Sequence, residues 1–297
     1  MIEDIRVWID AEDAEPARQL RAILKEHGCR GRRLGVEWEA YGLTARNGQR
    51  LAAALEGLCA LEDASELVSR RRVVKSPAEL ANDALDEANR LVQPGAFEGD
   101  ILGAMHAAVF RGDGDYPGNE FIIGSGRDAL LCRYFSGRKH LQENDQITLE
   151  FAETYRHYHA CLMRTILVGE PHPDHVAMHA IGIEAMEACL EALKPGRPMG
   201  EVFDAYARVM DAGGMGEHRM NACGYSLGAC FAPNWMDWPM FHHSNPVLAE
   251  PNMVFFLHMI MMDSGNNRAM CPAQTVVVTG DGCEVLSRHP LDLVVNK

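Results

Sequence analysis

The chain has 297 residues, 47% hydrophobic and 24% charged, which suits one large globular domain or one domain and part of a second. Its net charge of −14 argues against nucleic acid and anionic membranes as partners, since their phosphates need a basic face. No apolar run reaches a membrane-spanning length, the charged start Met1–Ala11 is no signal peptide, and the nine scattered cysteines form no C-x-x-C pair, so a cytoplasmic protein with reduced thiols is expected.

In chain order, the pattern predicts a helix over 14–27 with Ala17, Leu20, Ile23 and Leu24 on one face. A short strand follows at Arg33–Glu37, then a helix at Ala45–Leu58 carrying Leu51, Leu55 and Leu58. With the basic cluster Arg70–Arg72 these form a short α/β segment, 1–72, too small to be a good independent domain. It reads as the tail of a longer N-terminal domain or as a docking platform for a second subunit.

Residues 73–297 form the main domain in this reading. Ser76-Pro77-Ala78-Glu79 has the form of a capping box opening a helix that runs to about Val92 and breaks at Pro94-Gly95. A second helix, Gly99–Phe110, precedes a Gly/Asp-rich loop. The same helix, Pro-Gly break and helix recur around Pro195-Gly196, 101 positions later. Strand-like runs follow each copy: Phe121–Ile123 and a hairpin after the first, Met253–Leu257 and Thr275–Thr279 after the second. A duplicated, pseudo-twofold domain is expected, with a pocket where the halves meet. The competing reading is two unrelated helices that each stop at a Pro-Gly pair.

The hairpin is read as strands Ile147–Phe151 and Ala160–Met163 joined by a polar turn at Glu153–Arg156. Alternation puts Ile147, Leu149 and Phe151 on one face and Thr148 and Glu150 on the other. A carboxylate among such neighbours is costly to bury unless paired or used. The alternative is an edge strand with Glu150 in solvent. Downstream, Trp235, Asp237 and Trp238 could box a cationic ligand, or they belong to an aromatic core patch or a dimer contact. The run Met259–Met262 reads as core, with Asp263 capping a turn.

At these residues the chain resembles the pita-bread superfamily of creatinases, Xaa-Pro dipeptidases and methionine aminopeptidases. The likeness rests on Leu34–Glu37, Lys75–Leu80, Arg164-Thr165, Leu193-x-Pro195-Gly196 and Val276–Gly282, and it covers about Val73–Val294. It implies an α+β pita-bread fold and homodimers formed through the N-terminal segment. The peptidases of this superfamily hold two metal ions with two Asp, one His and two Glu. Those positions fall on Glu150 and Cys161, on or near Tyr225 and His258, and near Ala273, and this set cannot supply the anionic oxygens that two ions need. A mononuclear site of Glu150, Cys161 and His258 is the remaining metal option.

The strings Arg156–Thr165, Gly224–Gly228 with Pro233-Asn234-Trp235, and Glu250–Met253 are similar to the metal-free branch of creatinase and ectoine hydrolase. That branch opens C–N bonds of small cyclic, cationic or zwitterionic compounds. The resemblance therefore implies a hydrolase without metal or other cofactor, acting on a small molecule. Its catalytic groups are Glu150, Tyr225 and His258, with Arg133, Cys161, Trp235 and Asp237 binding substrate. Arg133 stands where the superfamily has a histidine, and an arginine there would bind a carboxylate rather than shuttle protons. The rival functions are an Xaa-Pro-type metallopeptidase and a non-catalytic binder on a degenerate peptidase scaffold.

Overall fold

The computed structural model describes residues 4–7, 14–72, 83–132 and 137–297. The chain forms two compact units, Met1–Arg71 and Arg72–Lys297. The first contains α1 (Pro16–Glu26), β1 (Arg33–Val36), α2 (Ala45–Leu55) and β2 (Ala60–Asp63), and α3 (Leu67–Arg72) closes it. Pro16 sits in the first turn of α1, where its missing N–H is harmless, and the Thr44 hydroxyl caps α2 by accepting from the Asn47 N–H. Helix α2 is the crossover that lets β1 and β2 run parallel, from Arg33 opposite Ala60 to Val36 opposite Asp63. The pattern missed β2, because Ala-Leu-Glu-Asp carries one large apolar residue and lies open to water.

The second unit opens with α4 (Asp83–Leu91), α5 (Glu98–Arg111), β3 (Ile122–Ser125), a 3-10 turn (Gly126–Leu130), β4 (Asp145–Tyr155) and β5 (Tyr158–Val168). Next come α6 (Pro173–Ala192), α7 (Met199–Ala212), β6 (Gly224–Ser226), β7 (Asp237–Met240) and β8 (Val254–His258). The unit finishes with β9 (Met261–Asp263), β10 (Arg268–Met270), β11 (Ala273–Val278), β12 (Cys283–Val285) and β13 (Val295–Asn296). The capping box at Ser76–Glu79 lies outside the described residues.

The duplication is visible in the backbone. Gly95 and Gly196 both adopt positive φ, 79° and 80°, after their prolines. The Gly95 N–H donates to Leu141 O while the Leu141 N–H donates to Ala96 O. The Gly196 N–H likewise donates to Ala249 O, and the Ala249 N–H to Arg197 O. Each helix pair thus folds back onto the same kind of returning loop. One core holds Leu85, Ile101, Met105, Leu149 and Phe151 under α4 and α5; the other holds Met186, Val202, Phe203, Phe255 and Leu257 under α6 and α7.

The two halves share one sheet, ordered β3-β4-β5-β11-β8-β6-β7. At the seam β5 and β11 pair through a single position, Met163 opposite Ala273. Beyond it the strands diverge, and β12 joins β11 while β13 joins β5. Thr275 bridges the divergence: its hydroxyl accepts from the Cys161 N–H at 2.9 Å and donates to Cys161 O at 2.7 Å.

The hairpin is longer than its apolar runs suggest. Glu153, Thr154 and Tyr155 continue β4, and the turn is Arg156-His157, with φ of 50° and 66° at its two central residues. Asp115 holds this turn by accepting the His157 N–H. Glu153 accepts the Ala84 N–H at 2.6 Å in the first turn of α4. Strand β4 lies between β3 and β5 with both faces covered, so the reading of an edge strand with solvated Glu150 is overturned. No helix among the described residues is long and apolar enough to cross a membrane. All nine cysteines are free thiols.

Candidate active site

On the face of the seam that carries Thr148 and Glu150, strands β4, β5, β6, β8 and β11 bring polar side chains together. Glu150 is 9% exposed. The Tyr225 hydroxyl donates to its Oε1 at 3.1 Å, and the Trp235 indole N–H donates to the same hydroxyl oxygen at 2.9 Å. A buried relay, indole to phenol to carboxylate, therefore ends on Glu150. Burial, then the charges of Glu150 and Cys161, push the Tyr225 phenol well above its usual range, so it stays protonated and donates. Burial likewise raises the Cys161 thiol, with the Glu150 charge adding to it and the Tyr225 hydrogen bond opposing it.

The His258 ring lies 5.8 Å from that of Tyr225 and 5.7 Å from that of Phe256. Burial lowers its pKa to about 4, so the imidazole is neutral at pH 7. Its Nδ1 is buried and makes no hydrogen bond. Among the described residues it has no partner, so a hydrogen bond at this nitrogen is left for water or a bound group.

The structure thus brings Glu150, Cys161, Tyr225, Trp235 and His258 together. Trp235 is 1% exposed, with its N–H committed to Tyr225, so it supports the relay rather than forming an open wall of a cation box. Asp237 starts β7, is 7% exposed, and accepts the Trp238 N–H through Oδ1. Arg133 lies outside the described residues.

His159 is a buried packing residue, 5% exposed; it accepts the Gly118 N–H through Nε2 at 2.7 Å and places Nδ1 3.2 Å from Gly228 O. Gly118 in turn packs on the backbone of Asn234 and Trp235, where a Cβ would come within 3.0 Å of three atoms. His159 therefore braces the loop that carries the Trp235 indole. Only its spacing, two residues before Cys161 on the same face of β5, could have signalled this.

The profile of metallopeptidase family M24 matches residues 73–280. The chain belongs to family M24. An uncharacterized hydrolase/peptidase of Sinorhizobium fredii, y4tM, is 27% identical over 97% of this chain and 76% of its own length. The ectoine hydrolase of Halomonas elongata is 25% identical over the same shares, 97% and 76%. The X-Pro aminopeptidase of Thermotoga maritima superposes with a TM-score of 0.82 at 20% identity, over 96% of this chain and 80% of that one. The fold is therefore the pita-bread fold of the M24 peptidases, and the chain is a hydrolase of that family.

The family name implies metal, but the donors here do not fit it. Ala273 offers no side-chain donor, and the Tyr225 hydroxyl is engaged between Glu150 and Trp235. A two-ion site needs several carboxylates, and of these positions only Glu150 supplies one. Among the described residues no three His, Cys, Asp or Glu side chains converge to hold an ion.

Proposed function

We propose that this M24 protein is a metal-independent hydrolase that opens a C–N bond in a small cyclic, amidine-like or zwitterionic compound. The observation that carries the reading is the Trp235–Tyr225–Glu150 relay, in which Glu150 and Tyr225 are two of the residues that the family resemblance sets at or near metal-ligand positions. Likeness to the ectoine hydrolase of Halomonas elongata supports the substrate class. Hydrolysis puts hydroxide on carbon and a proton on nitrogen. Glu150 suits both transfers: as a base it takes the proton from water, and as an acid it returns that proton to the leaving nitrogen. As a nucleophile it would instead attack the carbon and be released by water.

Tyr225 orients the carboxylate, and its raised pKa makes it a weak acid. His258 is neutral near pH 7 and suits a hydrogen bond to the substrate better than delivery of a proton as imidazolium. An Xaa-Pro peptidase, as the Pyrococcus furiosus relative is named, would need the ligand set that this chain replaces.

The test combines metal analysis of protein purified without chelators with proton NMR of ectoine-like, creatine-like and betaine-like compounds. Far less than one metal equivalent is expected, and Glu150→Gln should lower turnover about a hundredfold or more. Two bound equivalents with Xaa-Pro cleavage would establish the peptidase instead. Normal turnover by Glu150→Gln would remove Glu150 from the mechanism.

A further inference from the structure

A polar concavity lies at the opposite end of β4 from the hairpin turn. It is a cleft of about 780 Å³ whose walls include Arg127, Arg268, Asp145, Glu170 and His175, with Gln146 among its lining residues. From Gln146 to Glu150 is four residues of strand, about 13 Å, so the cleft is a separate place from the relay.

Gln146 ties the cleft together. Its Nε2 donates to Gly126 O at 2.9 Å and to Asn267 O at 2.7 Å. Its Oε1 lies 2.7 Å from His175 Nε2 and accepts the Ala269 N–H at 3.0 Å. The 3-10 turn, the β9–β10 turn and α6 are thus fixed to one buried amide. Gly126 and Asn267 both hold positive φ, 56° and 54°, to reach it.

Among the described residues the arginines and Glu170 around this frame form no ion pairs. Arg127 is exposed and makes no ion pair among the described residues. Arg268 turns one guanidinium nitrogen to the carbonyls of Asn266 and Asn267, while its Nε is buried and has no hydrogen-bond partner among the described residues. Glu170 is exposed and also has no ion pair among the described residues. The Asp145 carboxylate accepts the N–H groups of Gln142 and Gln146 and stays at the wall. Opposite charges therefore line one cleft without closing on each other. A phosphate would meet Asp145 and Glu170 as like charges; a molecule carrying both signs meets neither wall unfavourably.

We propose that this cleft binds a small zwitterion, its carboxylate on Arg127 and Arg268 and its ammonium on Glu170. Arginine suits the carboxylate end because its planar fork can give two parallel hydrogen bonds. The proposal does not depend on the hydrolase reading.

Calorimetric titration of the full chain tests it with glycine, β-alanine, γ-aminobutyrate and ε-aminocaproate. Butyrate, butylammonium and inorganic phosphate serve as single-sign probes. At least one zwitterion should bind saturably, and tighter than every single-sign probe. Arg127→Gln and Glu170→Gln, both at exposed positions and checked for folding by circular dichroism, should each weaken it about tenfold or more. Glu150→Gln should leave it unchanged, which separates this cleft from the relay. Absence of binding by every zwitterion would overturn the proposal. So would equal binding of butyrate, tighter binding of phosphate, survival of binding in both cleft variants, or its loss in Glu150→Gln.

Discussion

Replacing Tyr225 by Phe keeps the ring and removes the one atom that joins Trp235 to Glu150. Two losses follow. A hydrogen bond to a carboxylate contributes about 1.5–3 kcal/mol, and the indole N–H is left buried without an acceptor, a further cost of about 1–3 kcal/mol before relaxation. The sum, tempered by relaxation, is about 3 kcal/mol. For a unit of this size that corresponds to a melting point about 6–12 °C lower. Urea unfolding of Tyr225→Phe, Trp235→Phe and the double variant measures it. In the double variant the orphaned donor is gone, so its cost should fall below the sum of the single costs by at least about 1 kcal/mol. Costs that add to within about 0.5 kcal/mol would refute the relay, as would a Tyr225→Phe protein as stable as the parent.

Other outcomes follow from neighbouring features. Burial holds His258 at about 4, and burial with the nearby Arg268 charge holds His175 at about 4, below the unfolded value near 6.5. Between these values the unfolded chain binds more protons, so stability present above pH 6.5 is lost as pH falls toward 4, by about 3 kcal/mol for His258 and by less for the partly screened His175. Melting points from pH 7.5 to 4.5 should show this slope, and His258→Asn should flatten it; an unchanged slope in that variant would count against a buried neutral ring. Gly118→Ala drives a methyl into the Asn234–Trp235 backbone and should cost about 1–3 kcal/mol with a changed Trp emission; a silent substitution would free the loop from its brace. The chain is also expected to form a homodimer, and light scattering that gives a monomer at micromolar concentration would rule it out.

The parts of this molecule that local chemistry dictates could be read from its sequence. Pro-Gly pairs stop helices, so the repeat around Pro94 and Pro195 pointed to the duplication, while the pita-bread fold came from the family resemblance. Glu150 stood out because alternation placed a carboxylate in an apolar strand. The turn at Arg156-His157 was hidden, since neither residue advertises a left-handed backbone and the turn is held by the distant Asp115. For Trp235 the sequence leaves a cation box and an aromatic core patch or dimer contact both open, because nothing local shows that Tyr225 accepts its N–H. The zwitterion cleft was out of reach altogether. Its charges come from four separate segments, and the amide of Gln146 that gathers them looks in the sequence like any strand residue.

The pairing of β13 with β5 bears on how the protein is made. The Leu167 N–H donates to Val294 O, the Gly169 N–H to Asn296 O, and the Asn296 amide reaches back to the carbonyls of Asn89 and Val92. The first half is therefore sealed by residues translated after the entire second half. A ribosome delivers the hairpin bearing Glu150 long before the strand that locks its edge, so this half waits with an open edge while the other is still emerging. The last pairing of this half, β13 on β5, therefore closes only when the C-terminal residues have been made.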